Sequence, residues 1–389
     1  MAVAMRDITG VSKKEYDALN ELRKHVKTTD DMFVLTNQNL SFNPLTKTAT
    51  ISDNRITSNS CADVTFHEIS KVSDLNIRGN TTTGMVEFLC DDVPTGKWDV
   101  LNNSFPGYCR YGKAVLDSDG NLHIIGGSGS ANRRKHYMKN SSGNWVQLED
   151  TPMNGNSGCT LLGPDGYINV IGGSGTNPDG TSASLSHYRY KDGNWESVST
   201  LPYQFYAGCA IVYDGSIHIF GSGTESYRKN HYSYKDGVWV DEGELPYPMY
   251  RSCVCVDGDN MIHLLGGIRA DDGSDLYNLN HYMMSDIGWE NVETLPASVY
   301  CSFATFDPLG QLHIIGGRYN DQTHWVYKNS KWTQLDNLPY YFVDDPGYVT
   351  ENGEIVLFLE ETNSTGMNIP YYETIFQYSA KCNILITNP

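Results

Sequence analysis

Nine of the eleven histidines in this 389-residue chain fall at two recurring positions. His123, His218, His263 and His313 precede glycine-containing turns, and His136, His187, His231, His281 and His324 follow them. Zinc needs nitrogen ligands about 2.0–2.1 Å from one ion. Even neighbouring strands lie about 4.8 Å apart, so equivalent positions of separate repeats cannot share an ion. We therefore expect a repeated structural hydrogen bond, with no metal ion and no cofactor.

Arginine and tyrosine recur in the segments that connect the repeats and in the loops that follow the glycine pairs. The candidate ligand-binding residues are Tyr108, Arg110, Arg134, Tyr206, Arg228, Tyr250, Arg251, Arg269, Tyr300, Arg318 and Tyr341. Arginine makes bidentate hydrogen bonds to carboxylates, and tyrosine supplies rigid amphipathic contact area. This combination predicts a site for a glycan or an acidic peptide. The alternative is that the tyrosines only pack against one another.

The sequence shows no catalytic apparatus. It has no phosphate loop and no paired-carboxylate motif, and we interpret the acidic pairs Asp344-Asp345 and Glu360-Glu361 as solvated turns. We therefore assign no catalytic residue and expect that the protein is not an enzyme.

Composition excludes several classes of partner. The net charge of −18 repels phosphate backbones and anionic membranes, so we expect no nucleic-acid partner. No apolar stretch reaches about 18 residues, and the N-terminus lacks the apolar core of a signal peptide, so we expect neither membrane insertion nor signal-peptide secretion. None of the nine cysteines forms a C-x-x-C pair, which favours a reducing compartment without disulfides.

Internal repeats position these residues. An apolar segment ending in glycine recurs five times, as in NLHIIGG at 121–127, with its first glycine at Gly126, Gly172, Gly221, Gly266 and Gly316. A second segment begins with His and ends at Trp145, Trp195, Trp239, Trp289 and Trp332. Tight-turn dipeptides such as Asp119-Gly120 separate the apolar runs. Each repeat therefore predicts four short strands.

This pattern resembles the kelch family, whose repeat has Gly-Gly after an apolar strand and Tyr and Trp further on, over residues of about 95 to 380. The resemblance implies an all-β fold, a kelch-type β-propeller, with the Arg- and Tyr-bearing loops opening on one face around a central channel. We predict six blades, closed by an N-terminal strand. The sixth takes its outer strand from 96–101, which contains Trp98, and inner strands from 348–361 and the C-terminus.

Two alternatives remain open for this arrangement: a seventh blade drawn from 30–95, and 85–92 as the third strand of the sixth blade. In the sixth blade Leu359-Glu360 replaces the glycine pair. The predicted domains are the propeller at 94–389 and a small N-terminal α+β module at 1–93. A capping box at Ser12-x-x-Glu15 predicts a helix over 12–27 in that module, followed by short strands.

The resemblance says little about function, because many functions share one fold. We predict a non-catalytic binding propeller located in a virion, such as a bacteriophage tail or head-decoration protein. Residues 1–93 would then attach it to other structural proteins. The alternatives are a cytoplasmic kelch adaptor that binds other proteins and a sugar-processing kelch enzyme of the sialic-acid mutarotase type.

Overall fold

The chain divides into two compact units, residues 1–97 with 376–389, and residues 98–375. The computed structural model describes residues 32–43, 48–52, 61–66, 77–80, 85–89, 95–140, 142–224, 226, 228–269, 276–285, 287–308, 310–318, 320, 322–328, 330–350, 353–360 and 371–387. The helix predicted at 12–27 lies outside these residues. Within them, no helix is long and apolar enough to cross a membrane.

The first unit contains short strands in one antiparallel sheet. They are β1 (Met32–Asn43), β2 (Thr48–Ser52), β3 (Cys61–Phe66), β4 (Ile77–Asn80) and β5 (Met85–Leu89). The order runs β1-β2-β5-β4, and both β1 and β3 pair with the second half of the final strand, β31 (Tyr371–Thr387). The prediction had placed all of 94–389 in the propeller. Residues 376–387 belong here instead, because β1 pairs along them from Phe42↔Tyr378 to Met32↔Thr387.

The second unit is a six-bladed propeller of four-stranded antiparallel blades, as predicted. Its first five blades are formed by consecutive segments, each running from the channel outwards, because the first strands of neighbouring blades contact one another. Their strands are β7 (Lys113–Leu116), β8 (Leu122–Ile125), β9 (His136–Lys139) and β10 (Trp145–Gln147); β11 (Cys159–Leu162), β12 (Ile168–Ile171), β13 (Ser186–Lys191) and β14 (Asn194–Thr200); β15 (Cys209–Tyr213), β16 (Ser216–Phe220), β17 (Asn230–Lys235) and β18 (Val238–Glu244); β19 (Cys253–Val256), β20 (Ile262–Leu265), β23 (His281–Ser285) and β24 (Gly288–Asn291); β25 (Phe303–Phe306), β26 (Leu312–Ile315), β27 (His324–Lys328) and β28 (Lys331–Gln334). A 3₁₀ turn (Ala183–Leu185) interrupts blade two, and a hairpin of β21 (Ile268–Arg269) and β22 (Leu276–Tyr277) interrupts blade four.

Blade six closes the ring with strands from both sides of the repeats. It orders β29 (Gly347–Val349), β30 (Ile355–Glu360), the start of β31, and then β6 (Thr95–Ser104). The amide of Phe105 donates to Tyr371 O at 3.1 Å just beyond this pairing. The predicted closure is therefore confirmed. The alternative third strand at 85–92 is excluded, since β5 pairs with β2 and β4, and no seventh blade arises from these N-terminal strands.

Apolar second strands hold the blades together. All four residues of β8, β12, β20 and β26 are buried, as expected for a sheet covered on both faces. Between blades two and three, for example, Phe205 and Ile219 are fully buried, with the half-buried Trp239 against them. The tryptophan of each repeat therefore packs against a neighbouring blade, which is the reason the repeats associate.

The glycine pairs allow the loop of the next blade to approach the backbone. Gly172 has φ +63, and a Cβ there would lie less than 3.0 Å from Phe205 O. Gly193 has φ +84 but nothing within 4 Å. We expect Gly172→Ala to lower the free energy of unfolding by about 3 kcal/mol, while Gly193→Ala costs about 1 kcal/mol from the left-handed backbone alone. Urea unfolding of both variants checks this, and equal costs would show that close approach is unimportant.

The two histidine rows pair inside blades one, three, four and five, and in blade two His187 Nε2 instead bonds Asn169 Oδ1 at 2.9 Å. The first-row Nδ1 lies 2.7 Å from the second-row Nε2 in His123–His136, 2.9 Å in His218–His231, and 2.8 Å in both His263–His281 and His313–His324. In three of these blades the first-row Nε2 also contacts an aspartate at 3.1 Å, namely Asp117, Asp257 and Asp307. The predicted structural hydrogen bond is confirmed. The sequence did not predict that these hydrogen bonds join the first-row histidines to the second-row histidines.

Candidate functional site

One residue per blade adopts a left-handed backbone where the chain enters the innermost strand. These residues are Tyr111, Ser157, Ala207, Arg251, Cys301 and Asp344, with φ between 50° and 65°. Their backbones are linked around the channel, since the amides of Ala207, Arg251, Cys301, Asp344 and Tyr111 each donate to the carbonyl of another member at 2.7–3.2 Å. We call this set the mouth ring. The mouth ring therefore fixes the backbone positions from which the side chains at the channel mouth extend.

Three charged side chains meet within the mouth. Arg251 Nη1 lies 3.0 Å from Asp344 Oδ2 and donates to Cys301 Sγ at 3.1 Å, and Lys113 Nζ donates to Asp344 Oδ1 at 2.8 Å. Burial raises the pKa of Asp344, but Lys113 and Arg251 together outweigh it and hold the pKa below its ordinary value. The carboxylate is therefore ionised at neutral pH. These groups line a channel cavity of about 230 Å³.

Arginine and tyrosine alternate across the mouth. The Arg251 guanidinium carbon lies 5.4, 5.5 and 5.8 Å from the ring centroids of Tyr111, Tyr250 and Tyr300. A second guanidinium contacts each of these rings: Arg110 is 5.6 Å from Tyr111, Arg228 is 5.3 Å from Tyr250, and Arg318 is 5.9 Å from Tyr300. We call these seven residues the arginine–tyrosine cluster. It concentrates four cations at one place on an acidic protein.

Blade six departs from the repeat beside this cluster. Glu360 replaces the second glycine of the pair and is fully buried, and its Oε1 lies 3.3 Å from Arg110 Nη1. The hydroxyl of Tyr371 donates to its Oε2 at 3.2 Å. Five blades fold without such a carboxylate, and burying one costs several kcal/mol unless it is paired. The departure therefore points to a functional role, because local rules are most often broken at functional sites.

Asp344, Asp345 and Glu360 are not solvated turn residues, which corrects our interpretation, and Glu361 lies outside the described residues. Asp345 is only 4% exposed, with Oδ2 accepting the Val343 amide at 3.1 Å. Burial, and then the nearby Glu360, raise the pKa of Asp345 well above its usual value. The two adjacent carboxyl groups thus have pKa shifts of opposite sign. Neighbouring carboxyl groups with opposite shifts are typical of acid–base sites.

The cluster brings together six of the predicted site residues: Arg110, Arg228, Tyr250, Arg251, Tyr300 and Arg318. Tyr108 borders the cluster, because it is hydrogen-bonded to the Arg110 side chain, with its ring buried against Tyr371. Three others lie apart from the cluster. Arg134 Nε donates to Thr151 O at 2.6 Å, Tyr206 packs on Gly223, and the backbone of Tyr341 pairs with that of Glu360. For Arg269 only the backbone, in β21, is described.

Four members of the site were missed from sequence: Tyr111, Lys113, Asp344 and Glu360. Tyr111 directly follows Arg110, and so could have been found from its loop. Glu360 had a clearer signal, because blade six places charge where the other blades have glycine or serine. Lys113 had none, since a single lysine at the start of a strand is ordinary.

Comparison with known proteins defines the fold only. No family model matches the chain, and no curated protein matches it. A solved structure titled "Structure of YjhT" matches with a TM-score of 0.58 and 17% identity, over 72% of this chain and 97% of that one. At this identity the likeness shows a shared propeller fold.

One prediction must be corrected on this comparison. The likeness to YjhT contradicts our expectation that the chain is not an enzyme. The expectation rested on missing motifs, but side chains from different blades can build a site that no local motif records. The prediction of a virion component receives no support from the comparison. What the comparison does show for this chain is a six-bladed β-propeller that resembles YjhT.

Proposed function

We propose that the protein binds an acidic sugar at the channel mouth and acts on it as a sugar-processing kelch enzyme of the sialic-acid mutarotase type. The observation that carries this proposal is the arginine–tyrosine cluster centred on Arg251, with the ionised Asp344 at 3.0 Å. The structural likeness to YjhT supports the same function.

Charge favours a carboxylated ligand at this place. The chain carries a net charge of −18, so an anion is repelled over most of its surface. Four guanidinium groups at the mouth outnumber the two carboxylates paired with them, Glu360 and Asp344, which weakens that repulsion locally, and guanidinium is a strong partner for carboxylate. Tyr250 and Tyr300 add rigid amphipathic surface for the C–H and hydroxyl groups of a sugar ring.

Interconversion of sugar anomers needs one proton acceptor and one donor. The bond between the anomeric carbon and the ring oxygen breaks, the anomeric hydroxyl loses its proton, and the ring oxygen gains one; closure reverses these steps. No oxidant or reductant is consumed. Asp344 is the acceptor in this proposal, and the hydroxyls of Tyr250 and Tyr300 are the donors. Positioned acid–base groups contribute about 10²–10⁴-fold in rate.

Replacing Arg251 tests the proposal. We expect Arg251→Gln to weaken the binding of N-acetylneuraminic acid about 100-fold, because the charged contact to the ligand's carboxylate is lost. Isothermal titration measures binding. Relaxation of a freshly dissolved single anomer, followed by NMR, measures turnover.

The matched control is Arg189→Gln. Its guanidinium contacts Asp165 and Glu196 at 3.1 and 3.2 Å on blade two, away from the mouth ring. This variant should bind the sugar like the wild type, and thermal melting should show both variants folded. The proposal fails if the wild type neither binds an acidic sugar nor speeds anomer relaxation.

A further inference from the structure

We infer that the site takes a sugar with two anionic groups, and that Arg228 binds the second one. This inference rests on the proposed function and narrows its substrate class. The observation is the unequal charge pairing of the four arginines in the cluster.

Two of the cluster's arginines are paired with carboxylates of blade six. Arg110 contacts Glu360 at 3.3 Å, and Arg251 contacts Asp344 at 3.0 Å. Arg228 differs from both. Among the residues that the structure describes, no carboxylate oxygen lies within 4.0 Å of its guanidinium, and its buried Nε and Nη1 have no hydrogen-bond acceptor. Within the same described residues, its guanidinium lies over the Tyr250 ring, 5.3 Å from the centroid.

An uncompensated guanidinium is costly. A buried donor without an acceptor loses about 1–3 kcal/mol, and more when it is charged. The cation–π interaction with the Tyr250 ring offsets only part of this free-energy cost. An anion from outside the chain would supply the missing compensation. Arg228 therefore holds binding energy that the free protein does not use.

The position of Arg228 suits a second group on the same ligand. Arg228 and Arg251 lie 5.3 and 5.5 Å from the centroid of one ring, that of Tyr250. A sugar whose first carboxylate binds Arg251 can thus present a second anion to Arg228 across that ring. The second anion is a carboxylate of a linked sugar or a phosphate on the same sugar, and both chemistries meet guanidinium in the same way.

The competing explanation is that Arg228 only packs. Its carbonyl accepts the Met249 amide at 2.7 Å, so the backbone is held whatever the side chain is. A purely structural side chain would affect ligands with one and two anions equally. The two explanations therefore predict different effects of an Arg228 substitution on the ratio between the affinity for a dianionic ligand and the affinity for a monoanionic one.

The experiment compares three ligands by isothermal titration: N-acetylneuraminic acid, its α2,8-linked dimer, and its 9-phosphate. For the wild type we expect the dimer or the phosphate to bind at least tenfold more tightly than the monoanion. Arg228→Gln should weaken the binding of that dianion at least fivefold more than it weakens the binding of the monoanion. Arg228→Lys, which keeps the charge, should retain most of the difference, and Arg189→Gln should retain all of it.

The outcomes separate this inference from the proposed function. If the wild type binds the monoanion and speeds its anomer relaxation, but binds neither dianion more tightly, the second-anion inference is wrong and the proposed function stands. If Arg228→Gln lowers the affinity for all three ligands by the same factor, the inference is also overturned. If no acidic sugar binds the wild type, the proposed function fails and the inference fails with it. Melting curves establish that both Arg228 variants are folded.

Discussion

Lowering the pH from 7 to 5 should remove on the order of 10 kcal/mol from the free energy of unfolding and unfold the propeller. Burial, reinforced in most cases by the paired histidine, lowers the pKa of the second-row histidines: to about 3 for His136, His231 and His281, to about 4 for His187, and well below normal for His324. In the unfolded chain all five titrate near 6.5.

The direction of the effect follows from proton binding. At pH 7 these histidines are neutral in both states, so they cost nothing. Below pH 6.5 the unfolded chain binds protons that the folded chain excludes, so stability falls with pH until the folded values near 3 to 4 are reached. Five groups over about 1.5 pH units at about 1.36 kcal/mol each give the stated loss, which is comparable to the whole stability of a domain. Asp345 acts in the opposite direction, because its raised pKa makes acid favour the folded state. This single group offsets only part of the stability lost through the five histidines.

Urea unfolding followed by tryptophan fluorescence at pH 7, 6 and 5 measures this loss. The matched variant is His281→Gln, which removes one of the five protons and should reduce the pH slope by about 1.4 kcal/mol per unit. A stability that changes by less than about 2 kcal/mol between pH 7 and 5 would show that the histidines are protonated in the fold.

Breaking the Arg110–Glu360 pair should cost about 3–5 kcal/mol, whereas removing both charges should cost little. Both side chains are buried, at 9% and 0% exposure, so Glu360→Leu or Arg110→Met alone leaves one charge uncompensated. The double variant leaves none. Its stability should lie within about 1 kcal/mol of the wild type, because apolar residues of similar volume often replace buried pairs without loss.

The exposed pair Lys135–Asp150 is the control for this double-mutant cycle. Its atoms are 3.1 Å apart, but the side chains are 29% and 35% exposed, so its coupling should stay under about 1 kcal/mol. If the Arg110–Glu360 double variant is as unstable as the sum of its single variants, the pair is needed for folding. Sugar binding by the stable double variant should still fall about tenfold, since Arg110 contacts Tyr111 beside Arg251. That result would separate its functional role from its structural one.

The sequence by itself determined the blades and their closure. Repeats at intervals of 45 to 50 residues, each with a glycine and a tryptophan, leave few ways to bury the apolar second strands. The isolated Trp98 segment and the incomplete repeat at 348–361 predicted a sixth blade shared between the two ends, and the structure confirmed it. These features are local or periodic, and so they can be read along the chain.

Only the tertiary structure decided which side chains meet. Arg251 contacts Tyr111 and Asp344, which are 140 and 93 positions away in the chain, because the mouth ring brings one loop from every blade to the same axis. The pKa of Asp344 is lowered by Lys113 and Arg251 from other blades, whereas burial and Glu360 raise that of Asp345, so two adjacent aspartates acquire opposite pKa shifts. Periodicity predicts where each loop emerges, but burial and through-space charge determine what its residues do.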